Sequence, residues 1–92
     1  MGKPKFRLEV SFNETTGEPV AAYLRVREGE VTETKEVSAG VAFADYGADG
    51  NLLGIELLVP CRVEVLDRLA ETEPEPVRRF LRGCARRELV CA

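Results

Sequence analysis

The chain reads as an α+β domain: a five-strand antiparallel β-meander over residues 1–59, then a helical C-terminal tail over 60–92 whose two short helices pack on one face of the sheet. Three observations predict this. Apolar and polar residues alternate from Lys5 to Phe12 and again from Val20 to Arg27, the period of two that marks a half-buried strand. Asp49-Gly50 stands between two apolar runs, Val41 to Tyr46 and Leu52 to Val59, and Gly tolerates the positive φ that a hairpin turn demands. After Pro60 the period lengthens, and Val77, Phe80, Leu81, Cys84 and Ala85 follow the i, i+3, i+4, i+7, i+8 spacing of one helix face.

In the first strand Phe6, Leu8, Val10 and Phe12 share the inner face, with Arg7, Glu9 and Ser11 outside. The polar stretch Asn13 to Pro19, with Gly17 and Pro19 as breakers, turns the chain. In the second strand Ala22, Leu24 and Val26 point inward and Tyr23, Arg25 and Arg27 outward. Glu28-Gly29 makes a tight turn. Val31 to Val37 is β-branched but mostly polar, as an exposed edge strand is, and Ser38-Ala39-Gly40 ends it.

A two-residue loop at Asp49-Gly50 pairs Asn51 with Ala48, Tyr46 with Leu53, Gly54 with Asp45, Ala44 with Ile55, and Glu56 with Phe43. That register puts Ala42, Ala44, Tyr46, Leu53, Ile55 and Leu57 on the core face. Val41, Phe43 and Leu58 then lie on the opposite face beside Asp45 and Glu56. The first helix runs from Glu64 to Glu71 with Leu66, Leu69 and Ala70 inward, although Cys61, Val63 and Val65 alternate and allow a brief extended lead-in. Residues 72–76 form a linker whose proline is well placed to start the second helix. Gly83 inside that helix costs about 1 kcal/mol against Ala, so the helix depends on its tertiary contacts.

With 92 residues, 45% hydrophobic and 32% charged, the chain is one ordinary folding domain. Its net charge of −3 is unevenly spread: residues 1–59 hold six Lys/Arg against ten acids, residues 60–92 seven Arg against six. Dedicated nucleic-acid binders show a strong basic excess, and this chain has none. Met1 to Val10 has no apolar run and no stretch approaches the roughly 18 apolar residues of a membrane span, so a cytoplasmic protein is expected. Cys61, Cys84 and Cys91 are odd in number and lack CxxC spacing, which suits free thiols in a reducing compartment. With no His, neither a Ser–His nor a Cys–His couple can form, and no imidazole can serve as a neutral-pH base. Catalysis is not the expected role, and no metal or other cofactor is expected.

Three clusters are candidate sites. Arg25, Asp45 and Glu56 form a polar cluster for a small ligand or weak acid–base chemistry. In its structural reading Asp49 serves the turn while Arg25 or Arg27 neutralises the other two carboxylates; a hard cation would want six or more oxygens. Arg78, Arg79, Arg82, Arg86 and Arg87 line one side of the last helix and could grip phosphates, but Glu75 and Glu88 dilute them and no aromatics interleave to stack bases. Val41, Phe43 and Leu58 are apolar residues rimmed by charge on a face that should read polar if it met only water, the signature of a contact surface. Gly47, Gly50 and Gly54 open a hairpin, not a helix, so they make no phosphate loop. Cys84, on the apolar helix face, reads as inert core, and Cys91 as exposed and idle.

From Phe12 to Val59 the sequence resembles a bacterial family of small proteins known as domain of unknown function 2283. The resemblance rests on Phe12-Asn13-Glu14, on Ala21-Ala22-Tyr23-Leu24-Arg25-Val26, and on the hairpin from Asp45 through Asp49-Gly50 to Gly54-Ile55-Glu56. It implies a β-meander and, because family members often look like one half of a two-gene pair, a protein partner in the manner of an antitoxin. The tail from Pro60 to Ala92 departs from the short members of the family. The expected function is a non-catalytic protein-interaction module, a homodimer or part of a hetero-complex, using the Phe43 face or the Val31–Val37 edge.

Overall fold

A computed structural model describes residues 3–59, 61–84 and 90–91. Five strands form one antiparallel sheet: β1 (Pro4–Phe12), β2 (Pro19–Arg27), β3 (Glu33–Ser38), β4 (Ala42–Tyr46) and β5 (Leu52–Leu58). Two short helices follow, α1 (Val63–Ala70) and α2 (Glu75–Gly83). A two-residue strand β6 (Cys61–Arg62) pairs in parallel with β7 (Val90–Cys91), a contact that no period in the sequence announces.

The α+β class is as the sequence predicts. Within the sheet, however, the strand order is β1-β2-β5-β4-β3. The β1–β2 hairpin and the β3–β4–β5 meander are each local, and β2 joins them by pairing with β5. The link from β2 to β3 must therefore cross three strand spacings, about 14 Å. Its six residue steps from Arg27 to Glu33 reach about 20 Å when extended, so it has little slack. It runs past the β4–β5 turn, where a Cβ on Gly29 would lie 3.1 Å from Leu53 Cδ2 and Thr32 N donates to Tyr46 O at 2.9 Å.

The core fills the space between one sheet face and the helices. Ala22, Leu24 and Val26 of β2, Ala42 and Ala44 of β4, and Leu52, Ile55 and Leu57 of β5 meet Val65, Leu66, Ala70, Val77, Leu81 and Cys84. Strand alternation and helix period predict nearly all of these residues. Of the first strand only Leu8 and Val10 are half-buried. Phe12 is 59% exposed at the hairpin end, and Phe6 stacks on Phe80 of α2 with ring centroids 4.9 Å apart.

The β4–β5 turn corrects the expected register near its tip. Gly47 N donates to Asn51 O at 3.0 Å and Gly50 N to Gly47 O at 2.9 Å, leaving a three-residue loop, 48–50. A two-residue turn of the expected kind wants positive φ at both central residues, but only Gly50, at 81°, has it; Asp49 does not. A bulge at Leu53 absorbs the extra residue, so Tyr46 pairs with Leu52 and Leu52 takes the core position expected of Leu53. Beyond the bulge Asp45↔Gly54, Ala44↔Ile55 and Phe43↔Glu56 stand as predicted.

Three further corrections follow from strand and helix ends. Val41 precedes β4, after the Gly40 turn at φ 70°, and packs against the core instead of the opposite face. Arg27, expected outside, is buried at the end of β2. Gly83 is the last residue of α2, so it ends the helix where an interior position was expected. The helical continuation through Ala85, Arg86 and Arg87 lies outside the described residues.

Candidate functional site

Among the described residues no helix covers the second face of the sheet, and its side chains follow from strand parity. Cross-strand pairing sets Tyr23 of β2 and Phe43 of β4 on either side of Glu56 of β5, and Arg25 and Asp45 on either side of Gly54. Thr34 of β3 pairs with Asp45. Tyr23, Thr34, Phe43, Asp45 and Glu56 line a shallow open depression of about 310 Å³.

Tyr23 and Asp45 sit on strands two spacings apart, about 9.5 Å. The tyrosine bridges them by lying diagonally over Gly54, and a Cβ there would run into its hydroxyl. Tyr23 Oη donates to Asp45 Oδ2 at 2.9 Å, and Thr34 Oγ1 donates to Asp45 Oδ1 at 2.7 Å. Both carboxylate oxygens are thereby engaged. Burial pushes the Tyr23 hydroxyl above its usual pKa, the Asp45 hydrogen bond and charge add to this, and nearby Arg25 partly opposes it. Sequence reading put Tyr23 on this face but missed its bond to Asp45 and missed Thr34. The available signal was Gly54, since an isolated glycine inside a strand often marks a close approach.

The ion-pair ladder expected on this face is absent among the described residues. Arg25 turns to the end of β2 and the β2–β3 link, Nε donating to Arg27 O at 2.7 Å and Nη2 to Gly29 O at 2.8 Å. Arg27 swings off the face to Leu52 O and Glu73 Oε1, each 2.8 Å away. Arg25, Asp45 and Glu56 are therefore neighbours but not a convergent anion or acid–base site. Asp49 serves its turn: its carboxylate accepts from Asn51 N and Nδ2 at 3.1 and 2.9 Å, and the backbone bond from Asn51 lowers its pKa.

Of the interface candidates, Phe43 lies half-buried in the depression, Leu58 is 42% exposed opposite Ala21 on the same face, and Val41 is half-buried and packs against the core. Of the basic candidates, Arg79 bonds Glu75 at 2.8 Å, Arg82 lies 3.8 Å from Asp67, and Arg78 is half-buried on the same helix; Arg86 is outside the described residues. Cys84 is buried as predicted. The side chains of Cys61 and Cys91 lie outside those described. Among the described residues no helix is long and apolar enough to cross a membrane.

Fold and face together define a small α+β module with one sheet surface uncovered by its own described helices. Residues 21–59 match the family model described as protein of unknown function (DUF2283), which bears out the resemblance from β2 through β5. Tyr23, Thr34, Phe43, Asp45, Gly54 and Glu56 all fall inside that segment, whereas Phe12-Asn13-Glu14 and the helical tail fall outside it. No curated protein and no solved structure matches the chain significantly.

Proposed function

We propose that the chain is a non-catalytic interaction module that docks a protein partner on the sheet face opposite α1 and α2, around Phe43. The observation that carries this reading is the mixture on that face. Phe43 and Leu58 are apolar, and Glu56 between the Tyr23 and Phe43 positions is exposed. Apolar residues rimmed by charge are suited to a protein contact. A rigid frame supports them, because the Tyr23–Asp45–Thr34 bonds tie β2, β4 and β3 together across β5. Ligand chemistry through Arg25, Asp45 and Glu56 is not favoured, since Arg25 is committed to carbonyls and Asp45 to two hydroxyls. Nucleic-acid binding by the α2 arginines is not favoured either, since Arg79 and Arg82 stand beside acids. A partner encoded next to this gene would make the module antitoxin-like.

A photo-crosslinking amino acid in place of Phe43, with a second at Glu64 as a helix-side control, tests the reading in the native host. Position 43 should yield one dominant protein adduct that Leu58→Glu abolishes. Equal or weaker labelling at 43 than at 64 rejects the docking face.

A further inference from the structure

Independently of that face, we propose that the outer edge of β1 pairs antiparallel with β1 of a second copy, centred on Leu8, so that two five-stranded sheets become one of ten strands. Among the described residues no strand covers this edge, and β1 is one of the two longest strands in the sheet at nine residues. Its backbone polarity follows from the bonds around it. Asn13 N donates to Glu18 O and Asn13 O accepts from Gly17 N, so the Asn13 backbone faces the β2 side. Val20 O accepts from Val59 N, so even residues of β2 face β5 and odd ones face β1. Both observations turn odd residues of β1 inward and leave the N–H and C=O groups of Leu8, Val10 and Phe12 pointing outward.

An antiparallel pair about a twofold axis at Leu8 sets Leu8 against Leu8, Phe6 against Val10 and Arg7 against Glu9 of the other copy. These three central pairs match in character. The even residues keep their apolar side chains on the core face, where Leu8 and Val10 are half-buried and Phe6 is 42% exposed. The odd residues set opposite charges across the seam in the closer-spaced, non-hydrogen-bonded positions. Arg7 and Glu9 already touch within one chain at 2.8 Å, with both side chains more than half exposed, so the seam would alternate four charges. The other edge, β3, is less suited. Both edge strands carry register shifts, β1 between Pro4 and Arg7 and between Ser11 and Phe12, β3 between Glu36 and Ser38, but β3 has only six residues and Lys35 is held over the Tyr46 ring at 5.3 Å.

Light scattering on the full chain, from micromolar to millimolar, reads the outcome. The wild type should dimerise, and Arg7→Glu or Glu9→Arg should each raise the dissociation constant by about tenfold or more, because two contacts across the seam become like-charged. Mixing the two variants should restore a dimer, since each then faces its opposite, and the double swap Arg7→Glu/Glu9→Arg should dimerise by itself. Both residues are exposed, so the variants keep the fold, which circular dichroism checks. Phe43→Glu and Lys35→Glu should leave this dimer intact, which separates it from the docking face and from the β3 edge. A wild type monomeric at every concentration, single variants that dimerise like the wild type, a mixture that stays monomeric, or a dimer broken by Lys35→Glu each overturns the proposal.

Discussion

Tyr23 can reach Asp45 only because the residue between them, Gly54, has no side chain. Gly54→Ala forces the tyrosine off its partner and should destabilise the fold by about 1–3 kcal/mol in urea unfolding, the cost of a lost hydrogen bond and disturbed packing. In a Tyr23→Ala background the same change should be neutral or mildly stabilising, because Ala loses less backbone freedom on folding than Gly. An equal cost in both backgrounds rejects the tyrosine as the cause. The hydroxyl also gives the fold an alkaline limit. Folding raises the Tyr23 pKa, so the folded state favours the neutral form. That contribution is complete below the unfolded value near 10 and is lost as pH rises through the higher folded value. Between about pH 9 and about pH 11 the urea midpoint of the wild type should therefore fall more than that of Tyr23→Phe. Parallel curves for the two proteins contradict the coupling.

The helical tail is tied to the sheet by apolar packing and by a buried ion pair. Arg27 at the end of β2 reaches Glu73 in the α1–α2 linker, with side chains only 8% and 15% exposed. Removing one partner strands the other charge away from water, so Glu73→Ala should cost about 3 kcal/mol. Replacing both, as Arg27→Met/Glu73→Leu, should recover part of that loss, although Leu52 O then loses its donor. A cost below about 1 kcal/mol for Glu73→Ala in urea unfolding means that the pair is solvated in solution. Element by element, the sequence is informative where a period is clean. Leu24 and Ile55 fall on the buried face by alternation, and the pairing Ala44↔Ile55 follows from the position of Asp49-Gly50. Leu53 is less legible because a bulge adds one residue without changing the local pattern, and both Leu52 and Leu53 end up buried.

In the whole molecule, which measures 40 × 23 × 23 Å, the two sheet faces have different fates. One receives α1 and α2; the other presents Tyr23, Phe43, Asp45, Glu56 and Leu58. Pairing through β1 would set two such faces side by side, since a twofold axis normal to the sheet keeps like faces together. The amino-acid sequence by itself determined the types of the main strands and helices, most of their inward residues, and the want of a histidine-based catalytic device. Those depend on local period, on turn residues and on composition. Tertiary structure alone decided that β2 lies beside β5, that Arg27 turns inward to a carboxylate 46 positions away, and that Tyr23 meets Asp45 across 22. Each of these is a pairing between distant segments, set by which strand edges and charges meet once the chain has folded, and no local pattern encodes it.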